Sequence, residues 1–221
     1  MSTIGATISN QESKASSGGG EESSGSGGGS SSGGGQGNKA ISNVGKTTLF
    51  KEGKKVGVLE EGDIKGYNWL SKEGTDGVIN INDLQQSPYY GGGCVLNLEN
   101  KFTISKVITE GVKPIIKSQV NVLVKIEEIK TTPENENQFN QSGKSYITEE
   151  VKQKVKEQIL QDINTTVEKC KGYNVDIFEV ISRFKRLKPK EYKKLLTFYG
   201  SEDAFFQACQ FETEVIVRSI L

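Results

Sequence analysis

From Ile115 to Ile129 apolar and polar residues change places at almost every step, with Val120, Val122, Val124 and Ile126 set against Asn121, Leu123, Lys125 and Glu127. Successive side chains of a strand point to opposite faces, so this run describes a strand with one buried face and one mostly wet face. Buried parallel strands would be apolar throughout. A sheet covered on one side and built mainly from antiparallel pairs carries the observed alternation. Cys94–Leu98 and Phe102–Ile108 read as two further strands, entered through the turn-rich QQSPYYGGG at 85–93. Upstream, Leu49 and Phe50 on one side of Glu52-Gly53, and Val56, Val58 and Leu59 on the other, read as a β-hairpin; Val78–Ile81 reads as a short strand.

The remaining periodic segments are helical. Thr148 is a good N-cap with Glu149 and Glu150 in the first turn, and Val151, Val155, Ile159, Ile163, Val167 and Cys170 form the apolar stripe of a six-turn helix. Gly172 is expected to close it. Asp176 with Glu179 is placed to cap a second helix running to Leu187, with Ile177, Ile181 and Phe184 inward. Pro189 opens a third that carries Tyr192, Leu195, Leu196 and Tyr199 and ends at Gly200. A Ser201-capped turn with Phe205 and Phe206 precedes a last strand, whose Phe211, Thr213, Val215 and Val217 share a face. Asp63 is placed to cap a short helix that turns Ile64, Tyr67 and Trp69 or Leu70 inward. The expected fold class is α+β, a mainly antiparallel sheet with amphipathic helices packed on one face.

Two domain-level segments follow. Residues 1–40 are a Gly/Ser-rich linker with almost no apolar side chain, too poor in burial to offset the entropy of ordering, and are expected to be disordered. Residues 41–221 form one domain, with a loop at Pro133–Gly143. Met1–Asn10 has neither the charged nor the apolar region of a signal peptide, and no stretch approaches the roughly 18 apolar residues of a membrane span. The chain as given is expected to be soluble.

Composition removes several kinds of chemistry. Lys plus Arg equals Asp plus Glu at 28 each, which leaves no basic excess for a nucleic-acid backbone. The absence of histidine removes the commonest general base and metal ligand. Cys94, Cys170 and Cys209 stand far apart and read as buried small hydrophobes. No catalytic residue, metal ligand or cofactor is expected. Ala40–Thr47, AISNVGKT, fits a relaxed phosphate-loop pattern, but such a loop needs a strand before it and a helix after it, whereas here a hairpin follows. Gly91–Gly93 reads as a turn entering a strand.

Two surface features remain. The cluster Arg183, Lys185, Arg186, Lys188, Lys190, Lys193 and Lys194 is a candidate partner-facing basic surface, for an acidic protein or anionic lipid headgroups; a solvated helix face is the competing reading. Tyr67, Trp69, Tyr89 and Tyr90 are a candidate aromatic pocket for a small nutrient.

Taken in order, LFKEGKKVGVLEEGDIKGYNWL, the long Glu/Lys-rich helix after Thr148, YNVDIFEV, KPKEYKK and the last strand with Arg218 resemble the C-terminal domain of spore germinant-receptor C subunits, the GerAC-like family. Phe50, Lys51, Gly57, Leu59, Gly66, Trp69, Leu70, Asp176, Ile177, Phe178, Pro189 and Glu191 match its pattern, while Tyr192 replaces a usual tryptophan and the terminal glycine is missing. The resemblance implies a non-enzymatic subunit lipid-tethered at the outer face of the spore inner membrane, working with the receptor's A and B membrane subunits. The family's signal peptide, acylated cysteine and N-terminal domains have no counterpart in these 221 residues. The expectation is a truncated or excised form acting through protein–protein contact, with nutrient binding as the alternative.

Overall fold

The computed structural model describes residues 46–71, 76–86, 89–130 and 147–219; the 1–40 linker and the Pro133–Gly143 loop lie outside these. Strands β1 (Lys46–Lys51) and β2 (Lys54–Glu60) form the expected hairpin about Glu52 and Gly53, both at positive φ, and α1 (Glu61–Leu70) follows. Then come β3 (Asp76–Leu84), β4 (Gly92–Glu110), β5 (Lys113–Lys130), α2 (Glu149–Gly172), α3 (Val180–Leu187), α4 (Pro189–Tyr199), α5 (Glu202–Ala208) and β6 (Gln210–Ser219). The main sheet has the order β3-β4-β5-β6. Its first two pairs are antiparallel and β5-β6 is parallel, so the fold is α+β with a mainly antiparallel sheet, as the alternation in β5 predicts.

The parallel pair was not expected. A parallel neighbour requires a crossover connection, and the helices between β5 and β6 supply it. Because β6 lies at an edge, its pattern stays half-wet and carries no mark of its direction. The helices pack against the face that holds Leu96, Leu98, Val120, Val122 and Val124. There α2 buries Val151, Val155, Ile159 and Ile163. Thr148 caps α2 as read, its Oγ1 accepting from Val151 N at 3.3 Å. Farther along the same face, Val107 and Ile116 meet Leu49, Leu59, Phe184, Phe205 and Phe206 in a second apolar layer. Each such fully buried side chain contributes about 1.5–3 kcal/mol.

Three local readings need correction. Cys94–Leu98 and Phe102–Ile108 are one strand, β4, with a bulge where Asn100 faces Val122 and Phe102 faces Asn121, leaving Lys101 without a place in the register. The bulge keeps Asn100 and Thr103 on the inner face, where both donate to the Trp69 carbonyl, at 3.2 and 2.8 Å. Second, α1 is capped by Glu60, and Asp63 sits one turn inside, its carboxylate accepting from Glu60 N at 3.0 Å and Lys169 Nζ at 2.6 Å. Third, Gly172 is still helical; the chain turns at Asn174, φ 55°, a conformation asparagine tolerates. Asp176 does cap the next helix, from four residues ahead of it, by accepting from Val180 N and Ile181 N at 2.9 Å each.

Where α1 crosses α2 the backbones nearly touch. A Cβ on Gly66 would stand 2.3 Å from the Asp162 carbonyl, and Gly66 N donates to Thr166 Oγ1 at 3.0 Å. Glycine is required there by space. Trp69 Nε1 donates to Asp162 Oδ2 at 3.1 Å, which fixes the indole between α2 and the sheet.

Candidate functional site

Helices α3 and α4 owe their orientation to few apolar residues. On α3, Val180, Ile181 and Phe184 are buried; on α4, Leu195 is buried, with Tyr192 and Tyr199 packed beside it. The other positions are free to carry charge, and the seven predicted cations divide into two groups. Arg183 turns inward: its guanidinium donates to the Ser105 carbonyl at 2.9 Å and to Ser105 Oγ at 3.2 Å, pinning α3 to β4. Lys185 lies 2.6 Å from Glu202 and 5.4 Å from the centre of the Tyr192 ring, and the Glu202 carboxylate holds its pKa above the ordinary lysine value. These two are structural.

Arg186, Lys188, Lys190, Lys193 and Lys194 are exposed, and among the described residues none has an ion-pair partner. Two apolar side chains stand with them, Leu187 at 52% exposure and Phe198 at 61%. Lys190, Lys194 and Phe198 follow one i, i+4 row of α4, so the ring and the ammonium groups share a ridge. Reading the cluster as charge alone missed Phe198. Its spacing from Lys194, off the Leu195–Tyr199 stripe, was the available signal.

The four aromatic residues are spread out instead. Trp69, 4% exposed, and Tyr89, wholly buried, belong to the first apolar layer; Tyr67 packs at the second, 5.9 Å from Phe178. Tyr90 stands 63% exposed. A concavity of about 440 Å³ opens elsewhere, on the side of the sheet away from the helices, with Ile104, Lys106, Lys117, Gln119, Glu212 and Glu214 on its wall.

The sulfur chemistry is closed. Burial pushes the Cys94 thiol up to about 11 and the Cys170 and Cys209 thiols up to about 12, so each stays protonated at neutral pH, a poor nucleophile. Among the described residues no group of three acidic or sulfur ligands could hold a metal ion. Lys46, from the phosphate-loop pattern, begins β1 and pairs with Glu60 at 3.0 Å.

The family described as "Spore germination B3/ GerAC like, C-terminal" matches residues 45–218. The chain belongs to this family. No curated protein sequence matches it. Among solved structures, the GerAC-like domain is similar to one described as the "Crystal Structure of the GerBC protein", with a TM-score of 0.58 at 14% identity over 79% of this chain. The match spans 51% of that protein, about half its length. At such low identity the likeness concerns the fold. The hairpin, the Gly66–Trp69 helix crossing and the Asp176 cap are where the motifs by which the sequence resembles GerAC-like domains lie in this fold.

Proposed function

We propose that this GerAC-like domain is an accessory element of a nutrient germinant receptor, acting in spore germination by docking on the receptor's A and B membrane subunits through the exposed surface of α3 and α4. The observation that carries the reading is the set of five exposed cations beside Phe198 and Leu187. Aromatic, arginine-bearing surfaces with an apolar centre are typical of protein contacts, and unneutralised charge steers an acidic partner to them. The chain as a whole is neutral at 28 cations and 28 acidic groups, so this local excess is an asymmetry of the surface. Among the described residues no helix is long and apolar enough to cross a membrane, which suits a domain that reaches the membrane through partners. On this reading the docking takes place at the outer face of the spore inner membrane, the place that the resemblance to germinant-receptor C subunits implies.

Pull-down tests this. Tagged full-length chain is expected to retain the A and B subunits from detergent-solubilised spore membranes, and a Lys190→Glu/Lys193→Glu/Lys194→Glu variant to lose at least about tenfold of that retention while keeping its circular dichroism. Undiminished retention by the variant would remove the basic surface from the contact. Binding of the domain to anionic vesicles with no receptor subunit present would assign the surface to lipid headgroups instead.

A further inference from the structure

Strand β6 is an edge. It pairs with β5 from Gln210 to Ser219 in unbroken register and, among the described residues, with nothing on its other side. Natural sheets blunt such edges with proline, charged side chains, lysine above all, bulges or inward charges; β6 has no proline, lysine, bulge or inward charge, and its own charges, Glu212, Glu214 and Arg218, all lie on the face away from the helices. The opposite edge, β3, is interrupted between Ile81 and Leu84, with Asp83 at φ 56°. On the face away from the helices β6 carries Glu212, Glu214, Ile216 and Arg218; toward the helices it carries Phe211, Thr213, Val215 and Val217. Glu212 and Glu214 are held by β5, through Lys117 at 3.1 Å and Gln119 at 2.8 Å. Arg218 is exposed and has no partner among the described residues. A row of side chains, Phe102, Asn121 and Ile216, crosses the outer face and stops at this edge.

We propose that β6 pairs antiparallel with β6 of a second copy of the chain, about a two-fold axis at Ile216, so that two four-stranded sheets join into one. In this register Ile216 faces Ile216 of the second copy, and the row continues into its mirror. Arg218 of each copy faces Glu214 of the other, which gives the unpaired guanidinium a carboxylate twice over. On the helix side Val215 faces Val217 and Thr213 faces Ser219. No like charges meet. Other centres are worse: an axis at Glu214 or Arg218 sets like charges against each other, and one at Val215 or Val217 places Ile216 opposite Glu214 or Arg218. This self-complementarity points to a second copy, because one and the same strand supplies both the carboxylate and the guanidinium that its partner strand would need.

Sedimentation velocity of the full chain, from about 1 to about 100 µM, tests the pairing. A concentration-dependent shift to twice the monomer mass is expected. Arg218→Glu alone and Glu214→Arg alone are expected to weaken the dissociation constant at least about tenfold, and the double swap to restore it. Ile216→Cys is expected to form a covalent dimer under mild oxidation, since facing residues of antiparallel strands lie within disulfide reach. A chain that stays monomeric at the highest concentration, as it would if the edge serves a strand of a different protein, overturns the proposal. So does a dimer that both single charge variants leave intact. The edge lies on a different element from the α3–α4 surface, so neither experiment decides the other.

Discussion

Asp63 shows how one side chain can hold three segments together. Its carboxylate takes the last N–H of β2 and the Lys169 ammonium of α2 while it sits in the first turn of α1. Burial pushes the carboxyl up, but the Lys169 ammonium and the Glu60 N–H outweigh it and hold the group below its ordinary 3.8. A carboxyl lowered in the native state contributes stability that is complete above the unfolded value and is lost as pH falls through the native one. The thermal midpoint of Asp63→Asn is therefore expected to lie below that of the wild type at pH 7, with the gap closing below about pH 4, measured by circular dichroism across that range. The same resolution explains what the basic cluster revealed in sequence. All seven cations were visible as a dense run, but Arg183 is turned in by Ser105, 78 residues away, and Lys185 is neutralised by Glu202. Nothing local to the run announces either partner, so which five remain free could be learned only from the packed structure.

At the scale of elements, strand and helix periodicity was legible because it is dictated by which face each segment buries, and α2 with its Thr148 cap and the alternating β5 follow from that alone. The bulge at Lys101 and the direction of β6 were hidden, since both depend on register against β5 and not on the composition of the segment. The capping role of Asp176 was legible, though α3 starts later than the capping pattern implies. Burial raises the pKa of this carboxyl above its ordinary value despite the backbone N–H groups that favour its charge. Asp176→Ala removes acceptors from two N–H groups and is expected to cost about 1–2 kcal/mol in urea unfolding. Asp176→Asn keeps one acceptor with no charge to desolvate, so its loss is expected to be smaller. The wild type should lose ground to Asp176→Asn as pH rises through the raised native value, because ionising a group whose native pKa is raised disfavours the fold.

Across the whole molecule the two apolar layers are bridged. Phe178 and Phe211, with ring centroids 5.1 Å apart, pack against both, and β4, β5 and α2 run through both. Layers that share strands and rings cannot open separately without exposing their common members. Thermal curves followed by Trp69 fluorescence, which reports the first layer, and by far-ultraviolet circular dichroism are expected to coincide within about 2 °C, and a separation beyond that would mean the layers melt apart. Cys94 lies in the first layer while Cys170 and Cys209 lie in the second, all three sealed from water. An alkylating reagent therefore reaches sulfur only in molecules that have opened, and the site of the adduct records where they did. Without any engineered label, the protein carries a chemical logbook of its own excursions from the native state.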